Sequence, residues 1–262
     1  KRYIRDSFPS IFSPIYFLGG FDGLPVISYN DEWLIYSGYP PNESGRDIYR
    51  VKAENPEGEP EWLTFFDHTN CWGRISPDGE WLAFISDRMP HFPSSEIYIM
   101  HFKPEVPENT PNRVTYHLEG QYCWNLLWSP DAKWLFYTYS AYIIDDTIYK
   151  INPWEGMESQ ETITIADGEM VFPTDISPDG RWIAVNYYIY DYEEKKLQCY
   201  IGYISSEAGE QEIKEFFPPL EEGCNCWDAS FSPDGEWIAF VSEMENVEGE
   251  TDIFIYPFEP DE

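Results

Sequence analysis

Five copies of one short turn motif govern what this 262-residue chain can become. Ser76-Pro77-Asp78-Gly79-Glu80-Trp81 returns as Ser177-Pro178-Asp179-Gly180-Arg181-Trp182 and as Ser232-Pro233-Asp234-Gly235-Glu236-Trp237. Ser129-Pro130-Asp131-Ala132-Lys133-Trp134 keeps all but the glycine, and Ser28-Tyr29-Asn30-Asp31-Glu32-Trp33 is a degenerate first copy. The motif Trp residues stand at 33, 81, 134, 182 and 237, at intervals of 48, 53, 48 and 55 residues. A period of this length marks a chain built from repeated supersecondary units, each unable to bury its apolar face alone.

Each unit reads as four short strands. An apolar run such as Cys226 to Phe231 enters the motif. In the turn, Pro presets φ, Asp bonds turn amides and Gly accepts a positive φ. A strand rich in Trp, Ile, Phe and Val leaves it, as in Trp81 to Ile85 and Trp237 to Val241. The third strand is centred on Ile48, Ile97, Ile148, Cys199 or Ile253, and the fourth on Leu63, Val114, Ile163 or Ile213. Helical periodicity is absent. Four strands per repeat predicts an all-β chain: a single β-propeller of five four-stranded blades. The fifth unit ends at Phe258 and lacks a fourth strand. The apolar run around Ile15 sits at the spacing before Ser28 that separates fourth strand and motif elsewhere. Residues 1–20 are therefore expected to supply the closing strand of the last blade, and 21–262 the propeller itself. The rival reading is a fragment of a larger propeller.

The Ser-Pro-Asp-Gly-x-Trp turn, the Ile/Phe strand after it and the Asp47-Ile48-Tyr49 type of third strand resemble the TolB-like, WD-like propeller repeat. Similar repeats build the propeller domains of dipeptidyl peptidases and prolyl oligopeptidases. The likeness runs from about residue 25 to 258. It implies a propeller fold and an exported protein, periplasmic or extracellular, with protein partners in an envelope assembly. Fold alone does not fix the role, because sites are grafted onto folds.

Charge narrows the partners. Lys and Arg number 16 against 48 Asp and Glu, a formal net charge of −32. Such a surface repels phosphate backbones and anionic lipid heads, which argues against nucleic acid and membrane surfaces as partners. Apolar residues at 42% still permit a large core, which argues against disorder. No apolar run approaches the ~18 residues a membrane span needs. The chain opens without Met or a basic-apolar leader, which predicts processing or trimming.

No Gly-x-Ser-x-Gly, His-Glu-x-x-His, Gly-rich phosphate loop or Cys-x-x-Cys is present. No residue is assigned a catalytic role and no cofactor is expected. Cys71, Cys123 and Cys226 each open the first strand of a blade, with Cys224 close by and His68 and His117 on the entering loops. Three readings stand: small buried side chains, a disulfide, or a soft-metal site of His68, Cys71, His117, Cys123, Cys224 and Cys226. Two positions before the motif Ser lie Val26, Arg74, Leu127, Asp175 and Ser230, where Arg74 and Asp175 could meet across a channel or stand solvated in it. Ala229, Leu126, Gly73 and Thr174 would make the rest of the channel wall. Acidic loops at Asp145-Asp146, 191–194, 207–212 and 243–252 invite calcium in principle, though none has EF-hand spacing. Asn42-Glu43-Ser44 is a lone glycosylation sequon.

The primary expectation is a non-enzymatic binding or scaffold module. Its binding face would carry His68, Cys71, His117, Cys123, Cys226, Arg74 and Asp175, with Tyr39, His91, Phe92, Tyr142, Tyr187 and Tyr190 as aromatic anchors. The alternative is a polysaccharide lyase or hydrolase, or the propeller portion of a peptidase, with Asp22, Asp175 and Asp228 as acid–base candidates.

Overall fold

The structure is a computed structural model that describes residues 23–39, 45–64, 68–88, 94–103, 110–118, 120–140, 145–167, 170–191, 196–209, 212–216, 226–243 and 251–260. The expected closing segment around Ile15, the boundary at residue 20, and Asp22, His91, Phe92, Tyr142 and Cys224 lie outside them. Among the described residues nineteen strands lie in five antiparallel sheets, together with one 3-10 turn, Gly156–Ser159. The first sheet holds β1 (Gly23–Ile27), β2 (Trp33–Gly38), β3 (Asp47–Lys52) and β4 (Glu61–Trp62). The second holds β5 (Asn70–Ile75), β6 (Trp81–Ser86), β7 (Glu96–His101) and β8 (Asn112–Arg113). The third holds β9 (Tyr122–Trp128), β10 (Leu135–Ser140), β11 (Asp145–Ile151) and β12 (Glu161–Asp167). The fourth holds β13 (Met170–Ile176), β14 (Trp182–Asp191), β15 (Lys196–Ser205) and β16 (Lys214–Glu215). The fifth has three strands among the described residues: β17 (Cys226–Phe231), β18 (Trp237–Glu243) and β19 (Thr251–Pro257). Strand order follows chain order in every sheet, the meander of a propeller blade, and the five blades make a five-bladed β-propeller. Of the described residues, those up to Leu135 with Ile151–Gln160 form one compact unit; Phe136–Lys150 and those from Glu161 onward form the other.

The repeated turn works as its residues suggest. Ser76 Oγ donates to Asp78 Oδ1 (2.5 Å), the same oxygen accepts Glu80 N (3.0 Å), and Trp81 N donates to Ser76 Oγ (3.0 Å). The set recurs at Ser129/Asp131, Ser177/Asp179 and Ser232/Asp234, and with Asn30 in the Asp position after Ser28. Gly79, Gly180 and Gly235 take φ of 75°, 74° and 73°. Ala132 (58°) and Asp31 (57°) hold the same left-handed backbone without glycine's freedom.

The core lies between successive blades. In the first unit Ile35, Ile48 and Leu63 pack with Ile75, Leu82, Phe84 and Tyr98. In the second, Ala184, Ile201, Tyr203 and Phe216 pack with Cys226, Ala229, Ile238 and Phe240. The motif Trp residues clamp these layers: Trp33 meets Phe102 edge-on beneath the Arg50 guanidinium, and Trp182 meets Tyr203 and Phe258.

Two features depart from simple strands. First, the innermost strands bulge: register slips between Cys71 and Arg74, Pro173 and Asp175, Trp227 and Ser230, and Gly23 and Val26. Trp72, Asn125 and Asp228 sit on innermost strands at positive φ of 56°, 49° and 53°. A bulge turns following side chains to the other face. Ala229 and Leu126 are consequently packed rather than lining a bore, and a Cβ on Gly73 would stand 3.1 Å from Ile48 Cδ1. Second, β4, β8 and β16 are only two residues long. In the first two blades Leu63 N and Val114 N donate to Ile48 O and Ile97 O, after which the Thr64 and Thr115 hydroxyls accept from Ile48 N and Ile97 N. A side chain has replaced the next main-chain rung.

Candidate functional site

Three blades bury an acid at the head of the third strand, and each acid reaches toward the following blade. Asp47 accepts from Thr64 Oγ1 of its own blade (2.6 Å) and from Asn70 Nδ2 on β5 (2.8 Å). Asp146 accepts from Ser140 Oγ and, on the next strand-opening segment, from Val171 N (3.1 Å). Glu96 accepts from Thr115 Oγ1 (2.6 Å), Arg113 Nη2 (2.7 Å) and His117 N (2.7 Å), and its Oε2 meets His117 Nδ1 at 3.0 Å. A buried carboxylate is tolerable only when it is hydrogen-bonded, as each of these is, and Glu96 is also paired with Arg113. Among the described residues the fourth blade shows no such acid, and Asn186 Nδ2 (3.1 Å) and Cys199 Sγ (2.8 Å) donate to Cys226 O.

Around Glu96 this lock acquires a thiol. Cys123 Sγ lies 3.6 Å from His117 Nδ1, and the ligand-type atoms of Glu96, His117 and Cys123 all lie within 4.8 Å of one another. Burial alone would raise the Glu96 carboxyl. The hydrogen bonds from His117 and Thr115 and the His117 charge outweigh it and hold the group at about 2. Burial, with the Glu96 charge beside it, pushes the Cys123 thiol well above its ordinary range. The three residues have the composition of a Cys-His-Glu catalytic relay but not its wiring. A relay needs thiol and carboxylate on opposite ring nitrogens, and here both face Nδ1. A thiol this deeply buried is also not a ready nucleophile.

The other residues singled out in the sequence are placed as follows. Cys71 is half-buried, with desolvation pushing its thiol up to about 12. Cys226 is buried, its Sγ donating to Ser242 Oγ. His68 accepts from Asn70 Nδ2 through its carbonyl and packs so closely on Gly45 that a Cβ there would stand 2.5 Å from His68 O. Among the described residues, His117 and Cys123 are the members of the expected metal set that meet; Glu96, absent from that set, joins them. Asp175 Oδ2 accepts from Ser230 Oγ and Phe231 N, both at 2.8 Å, so it ties β13 to β17 at the matching depth of the next blade. Arg74 Nη1 donates to Gly73 O, and its carbonyl accepts Trp128 Nε1. Tyr187, expected as an exposed anchor, is buried: it stacks on Tyr200 and bonds Glu215. Tyr39 is exposed, with the Arg46 guanidinium 5.0 Å from its ring centre. Asp146 is no loop ligand for calcium, because it is buried in the lock.

Outside the lock lies a strip the sequence did not announce. Tyr116 is 62% exposed, Leu118 74%, Tyr122 36% and Trp124 39%, while His117 and Cys123 between them turn inward. Alternation along extended backbone accounts for the pattern. The Arg113 guanidinium, 4.3 Å from the Tyr116 ring centre, and the Tyr122–Trp124 ring pair hold the strip's aromatics in place. Of the His and Cys expected on a binding face, the His117 side chain, Cys123 and Cys226 are buried and His68 and Cys71 partly so, while Tyr116, Leu118, Tyr122 and Trp124 are exposed.

Comparison with known proteins adds the fold and stops there. No family model matches the chain, and no curated protein matches it either. Among solved structures, TolB from Agrobacterium tumefaciens, described as putative, superposes with a TM-score of 0.60 at 22% identity over 93% of this chain and 79% of that one. The fold is a β-propeller. Oligogalacturonate lyase from Vibrio parahaemolyticus gives 0.60 at 15% identity, covering 90% of this chain and 65% of the lyase. The propeller domain of the Trilobed protease from Pyrococcus furiosus gives 0.53 at 14%, covering 90% and 82%. A TolB protein, a lyase and a protease domain share this scaffold, so the scaffold does not select among roles. No helix among the described residues is long and apolar enough to cross a membrane.

Proposed function

We propose that the chain is a non-enzymatic, protein-binding propeller module, exported to the periplasm or cell exterior and working within a larger assembly. The observation that carries the reading is the exposed strip of Tyr116, Leu118, Tyr122 and Trp124. Aromatic side chains fixed in place over a packed support give binding area at little ordering cost, the make-up of an interface hot spot. The formal charge of −32 points to a partner with a basic surface, since complementary potentials speed encounter and reject wrong partners. The likeness to TolB propellers supports the class of role, and export rests on that likeness. The miswired Cys-His-Glu trio speaks against thiol catalysis at this site.

The test compares wild-type chain with a Tyr116→Glu/Trp124→Glu variant in crosslinked pull-downs from the native host, with Tyr29→Glu as an exposed control. A partner lost from the double variant and kept by the control is expected. Equal recovery from all three moves the interface elsewhere, and turnover of an oligogalacturonate or peptide substrate by the chain alone would overturn the non-enzyme reading.

A further inference from the structure

We propose that Glu96, His117 and Cys123 form a binding site for one divalent cation of the zinc class, set between the second and third blades. The proposal is independent of the partner reading above. It starts from an awkward hydrogen-bond count. His117 Nδ1 is 3.0 Å from Glu96 Oε2 and 3.6 Å from Cys123 Sγ. One ring nitrogen is either a donor or an acceptor. If it donates to the carboxylate it cannot accept the thiol's proton, and if it accepts the thiol it faces the carboxylate lone pair to lone pair. A cation at the shared focus satisfies all three atoms at once.

The distances suit it. Zinc–nitrogen and zinc–oxygen bonds of ~2.0–2.1 Å and zinc–sulfur of ~2.3 Å, opened to a tetrahedral angle, put ligand atoms ~3.3–3.6 Å apart. The two separations straddle that span, and the whole trio lies within 4.8 Å. The donor set selects the ion class: thiolate and imidazole favour zinc, cobalt or copper over magnesium and calcium. The outer contacts are built as well. Glu96 Oε1 is held by Arg113 Nη2 and His117 N, Oε2 accepts from Thr115 Oγ1 and faces the focus with its other lone pair, and Ser95 Oγ bonds both the amide and the carbonyl of Cys123. Partners of this kind orient metal ligands. The proton balance follows the imidazole: Cys123 gives up its S–H proton to solvent and the imidazole binds as the neutral ring with its proton on Nε2, so one proton leaves per ion bound from neutral His117 and two from its charged form. Since the ligands alternate with Tyr116, Leu118, Tyr122 and Trp124, an ion here would also brace the segment that displays them.

Cobalt(II) serves as the visible probe and zinc as its competitor, on the full chain stripped with chelator. One equivalent of cobalt should release one proton and give tetrahedral absorption with a thiolate-to-cobalt charge-transfer band, and one equivalent of zinc should displace it with no further proton release. Cys123→Ala should abolish the band and Cys71→Ala should leave it. His117→Gln, which keeps a hydrogen-bonding group beside Glu96, should weaken binding by more than about tenfold, the scale on which even outer partners act. Absence of the band in folded wild type, or its survival in Cys123→Ala, overturns the site. Should Cys123→Ala fail to fold, wild type is alkylated in mild denaturant with and without zinc. Protection of Cys123 by zinc supports the site, and equal labelling overturns it.

Discussion

Replacing Gly79 with Ala tests the turn that organises the whole chain. Gly79 holds φ at 75°, and a Cβ built on it meets nothing within 4 Å. The folded-state penalty is therefore conformational alone, about 1–2 kcal/mol for an L-residue in the left-handed region, offset in part by the roughly 0.4–1 kcal/mol that Ala saves in unfolded-chain entropy. Ala132 occupies the equivalent place in the third blade at φ 58°, so Ala132→Gly is the reverse experiment. It relieves the same strain but restores about 0.4–1 kcal/mol of unfolded-chain entropy, for a net gain of a few tenths to about 1 kcal/mol. Urea midpoints at unchanged slope read both effects. In heating, about 1 kcal/mol should move the midpoint by about 2–4 °C in a chain of this size. A Gly79→Ala protein as stable as wild type, or an Ala132→Gly protein less stable, would refute the idea that backbone handedness dictates glycine there.

Acid should loosen the fold through Glu96. Its folded carboxyl is held at about 2 against an ordinary 4.5, so the stabilisation is complete above about pH 4.5 and is lost as pH falls toward 2. Urea midpoints measured against pH should show this decline, and Glu96→Gln should flatten it while lowering stability at neutral pH. Burial raises the thiols of Cys71, Cys123 and Cys199, so under native conditions at pH 8 alkylation mapped by mass spectrometry should leave all three unlabelled; rapid labelling of Cys123 would contradict the packing around the lock. Asp179→Ala removes the acceptor of both Ser177 Oγ and Arg181 N and should cost about 1 kcal/mol by urea denaturation, with no change expected in secondary structure.

The fold was legible because its signal is local and repeated. A Ser hydroxyl, an Asp carboxylate and a left-handed Gly within four residues can do little but form that turn, and five copies at near-constant spacing dictate five blades. Even Asn30 and Ala132, which look like decay, keep the geometry. The site was less legible, because its residues face one another only after the blades stack. Glu96 reads in sequence as an ordinary acid ahead of a strand, yet it is buried and central. A signal existed: Asp47 and Glu96 each precede an Ile-Tyr pair, with a Thr waiting 17 and 19 residues later. The bulges gave no warning at all. Nothing about Trp72 announces positive φ, and the slip it accompanies is why residues assigned to a channel wall are packed instead.

The locks all point the same way along the chain. Asp47 waits for Asn70, Glu96 for His117, Asp146 for Val171, Asp175 for Ser230 and Phe231, and Cys199 for Cys226. On a ribosome the chain emerges in that order, so each blade is released before the group that completes it. Until roughly twenty to fifty more residues have been made, the carboxylate at its head has no partner from downstream, and burying it then would be costly. A nascent chain halted after the second blade would therefore give Glu96 its Arg113 but neither Thr115 nor His117, and would leave the blade's edge open. Synthesis itself, rather than any single contact, sets the order in which these acids can leave water.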